Sequence, residues 1–200
     1  MPRRAPSTPL NMVATVLVTC VVAATSLAFT YEVTRDRIVQ QELEAERAAL
    51  EAVVPDAESF QDVSDMVAEA EVDTEDVPVE SAHRALDADG ATAGWAVRVA
   101  PRGYAGPVAM VVGLDRDGTV LGVSIVRMRE TPGLGTKIAE QWFIEQFVGW
   151  ESMDLDAWRD EFDAIAGATK SSVAVREGVS AACAVYLEAL MDSGEGGGGS

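Results

Sequence analysis

Residues 107–128 read PVAMVVGLDRDGTVLGVSIVRM, two apolar runs on either side of the polar stretch DRDG at 115–118. An Asp-Gly turn signal between two strand-like runs predicts a β-hairpin. On the return run Leu121, Val123 and Ile125 alternate with smaller residues, which puts them on one face of the strand. Upstream, GWAVRV at 94–99 sets Trp95, Val97 and Val99 against Ala96 and Arg98, and so adds a third strand to an antiparallel meander. Downstream, ETPGLGTKI at 130–138 leads into a predicted helix with Ile138, Trp142, Phe143 and Phe147 on one side. A turn region at 149–163 holds Trp150 and Trp158. Over 171–191 Val179, Cys183, Tyr186, Leu187 and Leu190 recur at helical spacing. Strands gathered first with helices around them predict an α+β domain, a twisted, largely antiparallel sheet packed by helices.

Further out, residues 10–29 (LNMVATVLVTCVVAATSLAF) carry no charged side chain. At about 1.5 Å per residue such a helix spans the roughly 30 Å of a bilayer's hydrocarbon layer. Arg3 and Arg4 precede it and no acidic residue occurs before Glu32, so the N-terminus is expected in the cytoplasm and the rest outside. The run is longer than a signal-peptide core, which argues against cleavage after the SLA at 26–28. Lipidation at Cys20 is disfavoured because the apolar run continues beyond it. The expected organisation is a cytoplasmic N-terminus (1–9), a transmembrane helix (10–30), a membrane-proximal helix (31–54), an extracytoplasmic domain (55–192) and a flexible Gly-rich tail (193–200). Within the third segment Val39, Leu43, Leu50 and Val53 make one stripe and Pro55 ends the helix. The acidic residues 56–80 read as loop with one short helical piece.

Composition removes several classes of chemistry. A formal net charge of -18 excludes an electrostatically driven nucleic-acid binder. Two cysteines and one histidine, His83, cannot supply a disulfide framework, a metal cluster or a Ser-His-Asp triad, and His83 reads as a surface residue. No catalytic side chain and no metal ligand is expected.

Two short strings remain. AGATKSS at 166–172 precedes the last helix, so the unpaired N–H groups of Lys170, Ser171 and Ser172, the Lys170 charge and the two serine hydroxyls favour an anion such as phosphate. The same string also reads as an ordinary helix cap at Thr169 or Ser171. It is not a Walker loop, which needs Gly immediately before the Lys, where Thr169 stands. In ETPGLG, Pro132 fixes a turn while Gly133 and Gly135 allow close backbone approach; the plain alternative is a strand-to-helix connection.

The two strings in this order, behind one span, closely resemble the flavin-binding domain of the G subunit of the Rnf electron-transport complex. The same domain type occurs in the C subunit of the sodium-translocating NADH:quinone oxidoreductase, and the resemblance covers residues 94–190. It implies FMN linked through a phosphoester to Thr169, with Asp163, Gly167 and Ala168 read by a flavin transferase. Lys170, Ser171 and Ser172 then lie at the phosphate, and Glu130, Thr131, Leu134 and Gly135 along the flavin. Ala166 stands where the family usually has Ser or Thr, which removes one hydroxyl. The implied function is an electron relay in a membrane-bound ferredoxin:NAD oxidoreductase that couples transfer to sodium or proton movement. Implied partners are polytopic membrane subunits, a second flavin-carrying subunit and the flavin transferase, at the cell inner membrane. The alternative is a membrane-anchored extracytoplasmic FMN-binding protein or sensor outside an ion-pumping complex.

Overall fold

The computed structural model describes residues 9–159 and 162–194. Arg3 and Arg4, on which the expected orientation rests, and the tail from Glu195 lie outside them. The chain divides into two units, residues 1–44 and 45–200.

The first unit is helix from Pro9 onward, part of one unbroken helix α1 (Pro9–Val53) that joins the two segments separated at residue 30 in the sequence reading. It is long and apolar enough to cross a membrane, and its apolar side chains, among them Val13, Leu17, Val21 and Leu27, are exposed all round. The hydroxyls of Thr15, Thr19, Thr25, Thr30 and Thr34 each donate to the carbonyl four residues back, at 2.7–2.9 Å. The helix thereby satisfies these threonine hydroxyls internally, as a hydrocarbon environment favours.

The second unit is a five-stranded antiparallel meander in the order β1 (Ser59–Asp62), β2 (Val79–Leu86), β3 (Thr92–Val99), β4 (Ala109–Leu114), β5 (Val120–Arg127). Strand β1 falls where the sequence read as loop, the short helix α2 (Ser64–Ala70) is the one helical piece expected there, and β2 lies mostly beyond that stretch, at 81–86, where no element was expected. Strand β2 buries Ala82 and Ala85, and alanine carries little strand signal. His83, expected at the surface, sits half-buried in β2, with its Nδ1 buried and without a partner. At the hairpin Asp115 Oδ1 accepts the N–H groups of Asp117 and Thr119, and Gly118 takes φ +82°, as the Asp-Gly signal predicts. Beyond it, an irregularity pairs Leu114 with Val120 but Gly113 with Gly122. The extra residue sends Val120 and Val123 inward and leaves Leu121, expected to share a face with Val123, 39% exposed.

One face of the sheet, with Trp95, Val97, Met110, Val112 and Leu114, packs on helix α5 (Thr169–Val185), which contributes Val175, Val179, Ala182 and Cys183. A π-helical turn (Tyr186–Leu190) continues α5, and the Tyr186 hydroxyl donates to the Arg116 carbonyl at 2.6 Å, tying the helix end to the hairpin. Small residues line the other face, where Ala85, Ala96 and Val111 meet Leu50, Val53 and Val54 at the end of α1. There Arg98 bridges Glu46 at 2.6 Å and Glu80 at 2.7 Å. Ser193, placed in the tail by the sequence reading, ends in a 3₁₀ turn whose carbonyl accepts from Arg84 at 3.0 Å.

The helix expected after ETPGLG is broken into a 3₁₀ turn (Gly135–Ala139), helix α3 (Gln141–Ile144) and a second 3₁₀ turn (Glu145–Phe147). Glu140, extended between the first two, resets the register. Ile138, Phe143 and Phe147 stay fully buried, while Trp142 turns out to 55% exposure and donates to Glu140. The turn region at 149–163 contains a 3₁₀ turn (Ser152–Asp154) and helix α4 (Leu155–Arg159), with Trp150 and Trp158 stacked at 6.2 Å.

Burial pushes the Cys183 thiol up to about 11, against a smaller opposing effect of a hydrogen bond with Ser152. At pH 8 only about 0.1% of it is thiolate. Cys183 is therefore expected to resist iodoacetamide for hours in the native chain and to react within minutes in guanidinium chloride, as measured by peptide mass; rapid native labelling would contradict its place in the core.

Candidate functional site

The AGATKSS string forms a turn and a helix start. Ile165 and Ala168 close the turn through an Ala168 N–H to Ile165 carbonyl bond of 2.8 Å, with Gly167 third in the turn at φ +81°. That is type II geometry, which favours glycine there. A side chain at Gly167 would also stand 3.3 Å from Leu134 Cδ1. Helix α5 begins at Thr169, two residues before the 171–191 stretch of the sequence reading, with Ala168 as a cap that makes no side-chain bond. The first helical bond, Ser172 N–H to the Ala168 carbonyl at 2.9 Å, leaves the N–H groups of Thr169, Lys170 and Ser171 without helical acceptors. Alanine is a poor cap, costing about 1 kcal/mol against Ser or Asp. The ordinary cap at Thr169 or Ser171 is thus absent, and three donors at the positive end of the α5 dipole face an opening.

The opening is a cleft of about 410 Å³ lined by Tyr104, Glu130, Thr131, Leu134, Gly135, Gly167, Ala168, Thr169, Lys170 and Ser171. This lies within the roughly 300–1,000 Å³ of small-molecule sites. Two strings more than thirty residues apart in sequence therefore make one site, Thr169 and Lys170 being exposed at its mouth.

Glu130 holds the walls together. It is buried, 8% exposed, and its carboxylate accepts the Tyr104 N–H at 2.9 Å and the Ser171 hydroxyl at 2.8 Å. Three segments, the loop at 103–106, the ETPGLG turn and the start of α5, meet on that one carboxylate. Their approach requires glycine: a Cβ on Gly103 would lie 2.2 Å from Glu130 Oε1, and one on Gly135 2.8 Å from Oε2. The ETPGLG turn is braced internally by the Leu134 N–H to Thr131 carbonyl bond at 3.2 Å and the Gly133 N–H to Thr136 Oγ1 bond at 3.0 Å.

Ser172 lies behind the cleft, fully buried. Its hydroxyl donates to the Ala168 carbonyl at 3.1 Å and accepts the Ile165 N–H at 3.0 Å, which fixes the turn. Since Ser171 is committed to Glu130, both serine hydroxyls expected to face a ligand are engaged within the protein, and Ser171 offers its N–H instead. Asp163 stands apart and exposed, its N–H donating to Gln146 Oε1 at 2.8 Å. Tyr104 was missed by sequence reasoning: a tyrosine in a Gly-rich loop signals no contact until the Glu130 tie is seen. Among the described residues no group of His, Cys, Asp or Glu could hold a metal ion.

Residues 103–184, which enclose every residue lining the cleft, match the model of the FMN-binding domain. The G subunit of the ion-translocating oxidoreductase complex of Methanosarcina acetivorans is 32% identical over 168 residues, covering 82% of this chain and 87% of the relative. The chain belongs to this G-subunit family. Another relative is the G subunit of the Na(+)-translocating ferredoxin:NAD(+) oxidoreductase complex of Acetobacterium woodii, 31% identical over 82% of this chain and 85% of its own length. Among solved structures, the C subunit of the Na(+)-translocating NADH-quinone reductase from Parabacteroides distasonis aligns over 66% of this chain and 77% of that chain, at 22% identity and a TM-score of 0.47. As a G subunit, the chain is one component of an ion-translocating oxidoreductase and carries that complex's FMN-binding domain.

The residues fit that cofactor on physical grounds. Its phosphate requires N–H donors and a positive field, which the uncapped α5 start and Lys170 provide, and its ring system requires open space beside them, which the cleft between the ETPGLG turn and the Gly167 turn offers. Gly167→Ala is expected to cost about 1–2 kcal/mol through its positive φ and to reduce flavin incorporation several-fold, measured as the 450 nm to 280 nm absorbance ratio of purified chain. Wild-type incorporation would remove the turn from the account.

Proposed function

We propose that Thr169 carries FMN through a phosphoester and that the domain relays electrons between neighbouring redox centres of the complex. The observation that carries this reading is the uncapped start of α5: Thr169 stands exposed at the mouth of the cleft, with three free N–H donors on its own helical turn. Bound FMN supplies one- and two-electron chemistry that the side chains here cannot. The chain's residues do the rest. The first turn of α5 and Lys170 neutralise the phosphate, Thr131, Leu134 and Gly135 wall the ring, and Glu130 holds the walls in register. Tethering fits an extracytoplasmic domain, where a dissociated cofactor would be diluted beyond recapture.

A flavin transferase would recognise Asp163, Gly167 and Ala168. Asp163 is exposed, and Gly167 presents an ordered turn just before the acceptor. With Ala166 exposed in that turn, no hydroxyl is needed there to shape it. Orientation with the N-terminus in the cytoplasm and the domain outside the inner membrane is supported by Arg3 and Arg4 ahead of the span. A span whose residues 10–29 hold no charge offers no ion path, so translocation belongs to polytopic partners. The neighbours that exchange electrons with Thr169-bound FMN include a second flavin-carrying subunit.

The test is a denaturing gel of the full chain co-expressed with a flavin transferase. Flavin fluorescence that migrates with the chain is the expected result. Colour that leaves with the acid supernatant would instead favour the reversible FMN-binding or sensor alternative.

A further inference from the structure

The segments that build the cleft, residues 101–107, 127–137 and 164–175, hold five of the chain's 15 lysines and arginines: Arg102, Arg127, Arg129, Lys137 and Lys170. Both lysines of the chain are among them. The same segments hold one acidic residue of the chain's 33, and that one, Glu130, is buried and bonded to Tyr104 and Ser171. On a chain of formal net charge -18 the segments that build the cleft are thus locally cationic.

These cations differ from the other arginines of the folded unit. Arg47, Arg98 and Arg116 pair with carboxylates, Arg84 lies over Trp95 and Arg176 over Phe162. Arg102, Arg129 and Lys170 are exposed and Lys137 half-exposed, and none of the four has a carboxylate partner among the described residues. Arg129 stands beside the loop that carries Tyr104, since a Cβ on Gly106 would lie 3.6 Å from Arg129 Cβ. Only Lys170 lines the cleft. A cofactor phosphate inside it accounts for Lys170 and leaves Arg102, Arg129 and Lys137 outside with no counter-charge.

We propose that Arg102, Arg129 and Lys137 form a docking collar for the acidic face of a protein electron-transfer partner, orienting that partner over the cleft mouth; the inference rests on the cleft being the flavin site. A protein is favoured over an anionic lipid surface because electrons must enter and leave through this mouth, and a headgroup exchanges none. The collar works at short range. At an ionic strength of about 0.1 M the Debye length is about 10 Å, so the distant acidic surface is screened while charges at the contact still select orientation.

The test uses the full, flavin-loaded chain in phosphatidylcholine nanodiscs, reduced with dithionite and mixed at about 0.1 M ionic strength with plastocyanin, which has an acidic face, or with cytochrome c, which has a basic one. Each copper or haem centre takes one electron, so two are reduced per fully reduced flavin, whose protons pass to solvent. Wild-type chain is expected to reduce plastocyanin at least tenfold faster than the R102E/R129E/K137E variant does, with the opposite ranking for cytochrome c. A variant effect under twofold, or an equal fall with both acceptors, overturns the collar. So does a variant that loses binding to phosphatidylglycerol vesicles while reducing plastocyanin at the wild-type rate, which assigns the patch to a membrane surface. Binding of oxidised plastocyanin to the flavin-free Thr169→Ala chain, followed by surface plasmon resonance, gives a readout independent of flavin. It is expected to be lost in the triple reversal, and no detectable binding to the Thr169→Ala chain overturns the proposal. Missing flavin in the loaded preparation would instead count against the attachment at Thr169.

Discussion

Thr169→Ala is expected to give a folded, membrane-inserted chain without covalent flavin, and a complex whose ferredoxin-dependent NAD reduction falls to background. The change removes one hydroxyl from an exposed side chain, and no hydrogen bond of that hydroxyl appears among the described residues. Thermal stability should therefore shift by no more than about 0.5 kcal/mol, as for surface substitutions away from special features. Thr169→Ser keeps the nucleophilic oxygen on the same turn and is expected to restore part of the flavin. The pair separates chemistry from packing: a Thr169→Ala chain that still carried flavin through denaturation would place the bond elsewhere, and one that failed to fold would give Thr169 a structural role. Full turnover without flavin would leave the subunit as an assembly component only.

Trp95→Ala is expected to lower the stability of the folded unit by about 3–5 kcal/mol, the range for removing a large aromatic from a core. Trp95 is among the largest fully buried side chains, lies on β3 in the face that meets α5, and carries the Arg84 guanidinium over its ring at 4.9 Å. Arg84 in turn holds the Ser193 carbonyl, so the substitution also loosens the C-terminal turn. For a unit of about 150 residues this corresponds to a melting temperature lower by roughly 10–15 °C. The measurement is near-UV circular dichroism against temperature. A fall under about 3 °C would mean that the sheet and helix do not share the core described here.

Legibility in the sequence followed the strength of local signals. The hairpin at 107–128 was readable because Asp-Gly and two apolar runs point the same way, and α5 because its apolar residues recur at three and four. Strand β2 was not, since VESAHRAL buries mainly alanines and its place is set by its pairing with β3. Leu121 was grouped with Val123, and Trp142 with Phe143, by period alone. Each was displaced by a local irregularity, a bulge in one case and the extended Glu140 in the other, and neither has a sequence signature. At the site, both strings were legible as unusual, but what joins them was not. Glu130 read only as a contact for the ligand; it lines the cleft, and its carboxylate also ties Tyr104 to Ser171. The serines of TKSS read as donors to an anion, whereas their hydroxyls brace the loop.

The central claim is the bond at Thr169, and peptide mapping of the full chain co-expressed with its flavin transferase tests it most directly. The expected result is a single FMN-modified peptide containing residues 166–172, with fragment ions that assign the adduct to Thr169. An unmodified Thr169 peptide, alongside proof that the same transferase preparation modifies another substrate, would contradict it.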